Sequence, residues 1–344
     1  MLKSLRLRRI LSFSLSPSVP KLFRLLSLLL LYAACTPDKS AAPEAQTEVK
    51  AAVIPVFQAD TAYSFTKTQT DMGPRAMNTK AHERCANFII AQGQRWADTV
   101  FVQQARLQCW NKEWFDISNI IYSFSPEKQT RILLCTHWDS RNWADQDTVR
   151  RDQPVEAAND GAAGVGVLME VARQLKLQKP EVGVDILFID AEDQGQPEDS
   201  GLPPNEDSWC LGTQYWSKTP HIPGYTASYG ILLDMIGAQN AIFTQEGGSV
   251  QNASSVLEKV WRTAGQQGFS DYFSYDRTAP IIDDHYYINS IAHIPTIDII
   301  QYDASSPSRF YRNWHTHQDK LEYIDKNSLR AVGQTLLGVI YNEK

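Results

Sequence analysis

Short apolar segments of strand length recur along this chain and alternate with amphipathic ones. The clearest are residues 184–190 (VDILFID), 231–236 (ILLDMI) and 294–300. They leave no polar face, which is typical of strands covered on both sides of a sheet. Residues 161–175 instead repeat apolar side chains at helical spacing. This alternation predicts an α/β fold, a three-layer αβα sandwich with a mixed, largely parallel central sheet.

The remaining elements follow the same two patterns. Helical spacing predicts further helices over residues 78–96, 255–267 and 326–341. Apolar, β-branched runs predict strands over residues 117–124, 131–136 and 241–245, the first two joined by a polar turn at 125–130. We find no internal repeat in the chain.

The first 34 residues have the three-part pattern of a secretory signal: a basic stretch, the apolar run 25–31, and two alanines before Cys35. The run is too short for a comfortable transmembrane helix. We predict a signal peptide at 1–34, a tether at 35–60 and a single catalytic domain at 61–344. Cys35 resembles a bacterial lipoprotein cleavage site, and plain secretion is the alternative. Either way we expect an exported bacterial protein, periplasmic or membrane-anchored, with Cys35 as its one possible membrane contact.

Charge excludes some partners. Without residues 1–34 the chain has 27 basic and 39 acidic residues and contains no basic run. Such a chain is not expected to bind nucleic acid. The overall composition, 43% hydrophobic and 21% charged, also argues against a disordered or polytopic membrane protein.

Polar side chains that can bind a metal follow the predicted strands where each ends. They are His137, Glu192, Asp193, Asp234 and, in later loops, Asp283 and His315, with Asp160 opening a helix. The carboxyl ends of neighbouring parallel strands meet at one edge of a sheet, where ligands usually bind. Oxygen and imidazole ligands without thiolates suit a catalytic zinc with an open position.

Each of these residues has a simpler interpretation when taken alone. Asp160 could cap a helix, Glu192 and Asp193 could be a solvated pair, and His315 could be structural. Asp283 could begin a helix. Asp234 is harder to dismiss, because a carboxylate within an apolar strand needs a partner if it is buried.

Six motifs in order, HWDS, NDG-AAGVGVLMEVARQL, FIDAED, LLDMIGA, DDH and WHT, resemble the zinc aminopeptidase and glutaminyl cyclase superfamily. The resemblance covers roughly residues 70–344 and implies the zinc aminopeptidase-like fold. It implies that Asp160, Asp193 and His315 hold one zinc ion and that Glu192 is the acid–base carboxylate. Asp193 stands where aminopeptidases usually have Glu.

The superfamily contains two reactions. Dizinc aminopeptidases bind a second metal through the positions of His137, Asp160 and Asp234, whereas glutaminyl cyclases have similar residues yet work with one zinc. The residue types at Trp314 and Asp283 are like those of the cyclases at the corresponding positions. The resemblance therefore favours a glutaminyl-peptide cyclotransferase, an acyltransferase that converts N-terminal glutamine of peptides and proteins to pyroglutamate and releases ammonia. One alternative is a dizinc aminopeptidase. A second is a degenerate binding module, although the intact site residues argue against it.

Under the cyclase interpretation each residue has a role. Glu192 moves a proton from the α-amine to the leaving nitrogen, and Asp234 with Asp283 orients the γ-amide. Trp314 walls the pocket and contacts the substrate. His137 supports the site from behind the metal ligands.

Several residues keep two interpretations. Trp138 and Trp209 either line the pocket or pack in the core, and His317 is a weaker candidate ligand than His315. Residues 194–207 form a solvated loop or a lid over the site. Four cysteines could form disulfides or remain buried thiols: Cys85, Cys109, Cys135 and Cys210.

Overall fold

The computed structural model describes residues 53–344, and the predicted signal peptide and Cys35 lie outside them. Within this range the strands are β1 (Thr99–Gln108), β2 (Trp114–Phe124), β3 (Arg131–His137), β4 (Gly183–Ile189), β5 (Tyr229–Asp234), β6 (Phe243–Gln245), β7 (Phe273–Arg277) and β8 (Thr296–Ile300). The helices are α1 (Ala59–Thr70), α2 (Lys80–Trp96), α3 (Gly164–Leu177), α4 (Leu211–Lys218), α5 (Gly247–Gln266), α6 (Asp284–Tyr287) and α7 (Lys326–Asn342).

Six strands form the central sheet in the order β1-β2-β4-β3-β5-β8, while β6 and β7 form a separate pair. Strands β4, β3, β5 and β8 run parallel to one another. At one edge, β2 pairs antiparallel with β4, and β1 pairs antiparallel with β2. The predicted mixed, largely parallel sheet is confirmed. Consecutive strands β2 and β3 are not neighbours, because β4 lies between them.

Both faces of the sheet are buried. Along β3, Ile132 and Leu134 pack into a core shared with α2, α3, α5 and α7. Leu133 and Cys135 point the other way, into a smaller core that includes Trp216 of α4. Alternate residues of a strand face opposite sides, so the continuous apolar runs result from burial on both sides. The three-layer arrangement predicted from them is confirmed.

Elements with weaker patterns were not predicted. β1 alternates exposed and half-buried residues at the sheet edge, so it lacks a continuous apolar run. The helices α1 and α4 were also missed. The strand predicted at 231–236 ends at Asp234, because Met235 has a left-handed backbone with φ 48°. α5 begins eight residues earlier than predicted, where the carboxylate of Glu246 accepts hydrogen bonds from the N–H groups of Gly248 and Ser249.

The predicted tether contacts the domain near its end. Phe57 is buried, and its N–H donates to Oε1 of Gln334 on α7 at 2.8 Å. No helix within residues 53–344 has the length and apolar character needed to cross a membrane. The four cysteines within these residues are buried free thiols.

A buried ion pair between neighbouring strands gives a stability prediction. Arg131 on β3 pairs through two nitrogens with Asp185 on β4, at 2.7 and 2.6 Å, and the Asp185 side chain is 1% exposed. Removing the carboxylate charge leaves the guanidinium without its partner in a buried setting, which typically costs about 3 kcal/mol. We therefore expect Asp185→Asn to lower the free energy of unfolding by about 3 kcal/mol in urea titrations.

The matched control is Asp116→Asn, because Asp116 lies 3.8 Å from Arg106 with both side chains largely exposed. Exposed pairs contribute little, so we expect a loss below about 1 kcal/mol. Equal losses in the two variants would contradict the assigned importance of burial.

Candidate active site

The predicted site residues come together at the carboxyl ends of the parallel strands. β3 ends at His137, β5 ends at Asp234, and Glu192 and Asp193 follow β4 directly. A single turn at Ala158–Ala163 supplies Asp160, and the loop after β8 supplies His315. The shared edge predicted from the strand pattern brings these side chains together.

Left-handed backbone conformations aim these side chains. Ala157, Ala191, Met235 and His315 have φ between 48° and 56°, and each is a site residue or lies within three residues of one. For residues other than glycine this region is disfavoured by roughly 1–2 kcal/mol. Such strain is maintained only where surrounding structure holds it, and it is commonly found at functional sites. The backbone therefore turns sharply at the strand ends because packing elsewhere enforces it.

Glycine is required where the Asp160 turn passes β3. A Cβ atom at Gly161 would lie 2.5 Å from the carbonyl oxygen of His137. Real Cβ atoms do not approach a backbone oxygen so closely, so any larger residue would push the turn away from the strand. The NDG motif therefore requires glycine because the turn packs closely against β3. This packing fixes the distance between Asp160 and the sheet.

Asp160, Asp193 and His315 form a triad with metal-binding geometry. Each offers a ligand atom within 4.8 Å of the others. Nε2 of His315 lies 2.8 Å from Oδ1 of Asp193 and 3.6 Å from Oδ2 of Asp160. Oδ2 of Asp193 is buried without a hydrogen-bond partner among the described residues. Two carboxylates and one imidazole, with no thiolate, fit a catalytic zinc that keeps one position open.

A second triad shares one carboxylate with the first. Nε2 of His137 lies 3.0 Å from Oδ1 of Asp160 and 3.2 Å from Oδ1 of Asp234. These three residues also offer ligand atoms within 4.8 Å of one another. His137 is 1% exposed and lies behind the pocket-lining residues. The geometry can thus hold His137 either as a supporting residue or as a ligand of a second ion.

The electrostatics of the first triad favour a cation. Burial lowers the pKa of the His315 ring, but the carboxylates of Asp193 and Asp145 together outweigh burial and raise the pKa to about 9. Oδ1 of Asp145 lies 3.3 Å from Nδ1 of His315, and the Arg141 guanidinium pairs with Asp145 at 2.7 Å. A carboxylate on the second ring nitrogen orients a metal-binding histidine and increases its basicity. Asp145 and Arg141 were not predicted from the sequence.

Two further carboxylates that the sequence did not identify hold the backbone of the site. Asp139 accepts hydrogen bonds from the N–H groups of Glu192 and Asp193, each at 3.2 Å. Asp319 accepts from the N–H group of Asp160 at 3.0 Å. Asp139 belongs to the HWDS motif, which was the available signal. Nothing local distinguishes Asp319, which lies 159 residues from its partner.

Glu192 stands free of both triads. Its side chain is 13% exposed, and Oε1 lies 3.3 Å from the thiol sulfur of Cys210. Burial raises the pKa of Glu192 well above its usual range, and the nearby Asp283 charge adds to this rise while His137 opposes it. Glu192, Cys210 and Asp283 offer polar atoms within 4.8 Å of one another. The structure therefore brings two of the three predicted catalytic carboxylates side by side.

Asp283 caps the short helix α6 and is 6% exposed. Burial raises its pKa to about 6, with a further contribution from the charge of Asp234. Its Oδ2 atom is buried without a partner among the described residues. The predicted catalytic residues Glu192, Asp234 and Asp283 thus line one pocket with the first triad.

This pocket, which we call the site pocket, has a volume of about 560 Å³. Trp314 lines it and stacks on His315 with ring centroids 3.8 Å apart. Trp209 also lines it, whereas Trp138 is a core residue whose Nε1 donates to the Ser118 carbonyl. Glu198 and Glu206 bring the 194–207 loop to the pocket edge. Whether this loop moves as a lid stays a prediction.

Two further histidines, His317 and His285, lie outside both triads, although His285 is within 4.8 Å of Asp283 and Asp298. Nε2 of His317 lies 3.1 Å from the carbonyl oxygen of Arg150, away from both triads. His285 contacts the carboxylate of Glu246 at 3.1 Å. Both positions agree with the sequence-based preference for His315 as the ligand.

This difference between His315 and His317 gives a prediction about metal binding. Loss of a supporting residue already costs 10–100-fold in affinity, and loss of a ligand costs no less. We expect His315→Ala to reduce zinc affinity by at least about 100-fold, measured by competition with a chromophoric chelator. His317→Ala should keep wild-type affinity, and equal loss in both variants would contradict the assignment.

Comparison with known proteins connects this geometry to a family. The sequence pattern of Peptidase family M28 matches residues 119–340. The crystal structure of a Bacteroides thetaiotaomicron glutaminyl cyclase bound to N-acetylhistamine is 46% identical, with a TM-score of 0.83, over 85% of this chain and 100% of that one. A structure from the same species, described as a leucine aminopeptidase precursor, is 45% identical, with a TM-score of 0.82 and the same coverage.

A more distant relative is also a cyclase. The glutaminyl-peptide cyclotransferase of Bothrops jararaca is 26% identical over 249 residues, which cover 64% of this chain and 63% of that protein. The chain therefore matches slightly less than two thirds of the curated relative's length. These similarities confirm the resemblance given by the six motifs.

Proposed function

The chain belongs to peptidase family M28, and from this membership we propose that it is a glutaminyl-peptide cyclotransferase acting on N-terminal glutamine. The observation that most supports this reaction is the pairing of Glu192 with Asp283 in a pocket walled by Trp314, beside the Asp160–Asp193–His315 triad. Similarity to the Bacteroides thetaiotaomicron glutaminyl cyclase over 85% of the chain supports it independently.

The reaction needs no water. The substrate's α-amine attacks its own γ-carbonyl carbon, so a C–N bond forms and a five-membered ring closes. The bond from that carbon to the amide nitrogen breaks, and a proton from the α-amine leaves with the nitrogen as ammonia. Intramolecular attack has a high effective molarity, so the protein must mainly hold the glutamine, polarise one carbonyl and move one proton.

The first triad is the proposed holder of a single metal ion. Asp160, Asp193 and His315 would bind zinc, which supplies Lewis-acid polarisation of a carbonyl group when it is present. Asp145, which pairs with Arg141, lies 3.3 Å from Nδ1 of His315 and would orient that ring. Asp139 fixes the backbone that carries Asp193.

Glu192 is the proposed proton shuttle. It lines the site pocket but belongs to neither triad, so its carboxylate is free to accept a proton from the α-amine and donate it to the leaving nitrogen. Asp234 and Asp283 line the same pocket and can accept hydrogen bonds from the γ-amide nitrogen. Trp314 offers a flat apolar wall for the methylene groups of the glutamine side chain.

A dizinc aminopeptidase is the second candidate, because His137, Asp160 and Asp234 form a complete second triad. The leucine aminopeptidase precursor is as similar to this chain as the cyclase is. Peptide hydrolysis requires an activated water molecule, which a second ion can help to generate. Two zinc ions per chain, with release of a free amino acid, would identify this reaction.

The central test is Glu192→Gln, assayed by mass spectrometry on a peptide that begins with glutamine. Wild type should remove ammonia and leave every residue in place. Loss of general acid–base catalysis should lower kcat by about 10²–10⁴-fold, while zinc content stays the same. Glu258→Gln, on the exposed surface of α5, should retain wild-type activity. Full turnover by zinc-loaded Glu192→Gln would reject the shuttle role.

We also propose that the protein is exported and anchored by a lipid on Cys35. The basic, apolar and small-residue segments before that cysteine support the proposal. Full-length protein expressed in a bacterium should partition into the detergent phase of Triton X-114, and Cys35→Ser should move it to the aqueous phase. Wild-type protein in the aqueous phase would indicate plain secretion instead.

A further inference from the structure

A second cavity of about 850 Å³ lies beside the site pocket. We call it the outer groove and define it by six of its lining residues: Gln239, Thr244, Arg277, Gln301, Tyr311 and Arg312. Ile300 lines the site pocket and the next residue, Gln301, lines the outer groove. In the same way, Phe310 lines the site pocket and Tyr311 lines the outer groove. Consecutive residues on two separate segments therefore form a wall that both cavities share.

Gln301 is the residue of the outer groove that most strongly indicates a ligand. The residue is 6% exposed, and its Oε1 atom is buried with no hydrogen-bond partner among the described residues. A buried, unpaired amide oxygen is unfavourable by roughly 1–3 kcal/mol. Rotation of this amide toward the outer groove would let an N–H donor of a bound ligand remove that cost. A peptide backbone offers such donors regardless of its sequence.

The charges of the outer groove also suit a peptide. Arg277 and Asp276 both line it, and Arg312 lies 3.5 Å from Asp303, so the charges of the lining balance. A balanced lining does not select a strongly anionic or cationic ligand. The other polar lining residues are mostly carboxamides and hydroxyls, which both donate and accept hydrogen bonds as peptide groups do.

We propose that the outer groove binds the segment of a peptide or protein substrate that follows its N-terminal glutamine and second residue. An extended chain advances roughly 3.3–3.6 Å per residue, so the third to fifth residues can cross the shared wall and reach Gln301. This inference rests on the proposed function. It makes the preferred substrate an extended, unstructured N-terminus rather than a dipeptide.

The test compares cyclisation of the dipeptide glutaminyl-alanine amide with that of a hexapeptide that has the same first two residues. Wild type should show a KM about tenfold lower for the hexapeptide, equivalent to one hydrogen bond of about 1.4 kcal/mol. Gln301→Leu keeps the approximate volume but removes the amide. It should raise the hexapeptide KM about tenfold and leave both constants for the dipeptide unchanged.

A second groove variant and a control variant distinguish the loss of a groove contact from a general effect of misfolding. Gln239→Ala changes an exposed groove residue and should raise the hexapeptide KM by about threefold, as expected for a weaker exposed contact. Gln251→Leu changes an exposed glutamine on α5 outside the groove and should alter neither substrate's constants.

The outcomes separate the two proposals. If wild type cyclises both peptides with the same KM, or if Gln301→Leu affects both substrates equally, the groove inference is wrong and the proposed function stands. If wild type releases no ammonia from either peptide under zinc-replete conditions, the proposed function fails, and this use of the groove fails with it.

Discussion

The concentration of carboxylates in a volume shielded from water is the constraint on which the site depends. Asp139, Asp160, Asp193 and Asp234 are each at most 8% exposed and lie at or just beyond the ends of parallel strands or in the turn beside them. Like charges at such distances repel strongly unless hydrogen bonds, protons or cations compensate them. His137, His315, Arg141 and several backbone N–H groups supply part of that compensation. The arrangement is therefore built around positive charge, which is why a metal fits it.

The sheet makes this arrangement possible because it is rigid and covered on both faces. Four parallel strands deliver their carboxyl ends to one edge, and buried carboxylates then tie the loops together. Asp319 holds the Asp160 turn, and Asp139 holds the chain after β4. The left-handed residue Ala191 directly precedes the segment that Asp139 holds, and Met235 and His315 have left-handed backbones in the loops after β5 and β8. Strain in the loops is thus balanced by packing in the core and by hydrogen bonds at the edge.

The chain is equally similar to a glutaminyl cyclase and to a leucine aminopeptidase precursor, so the ligand sets do not separate the two proposed reactions and the pocket walls must do so. Both triads are present, and Asp160 belongs to each. Asp283 and Trp314 instead define what a substrate meets in front of the triad. The outer groove extends that surface across the shared wall toward the rest of a peptide. Under both proposals, reaction type and substrate preference therefore depend on side chains outside the ligand set.

The sequence by itself determined the layers and the edge at which the site lies, because burial and strand ends are recorded in local spacing. Its motifs also predicted Asp160, Glu192, Asp193 and His315 as site residues, and the structure places these four side chains around one pocket. The sequence could not identify β1, whose apolar pattern is weak at the sheet edge. Only the tertiary structure decided that Asp139 and Asp319 hold the site backbone and that Gln301 faces a groove. These roles depend on contacts between residues far apart in the chain, 53 residues for Asp139 and Glu192, and no local pattern records such contacts.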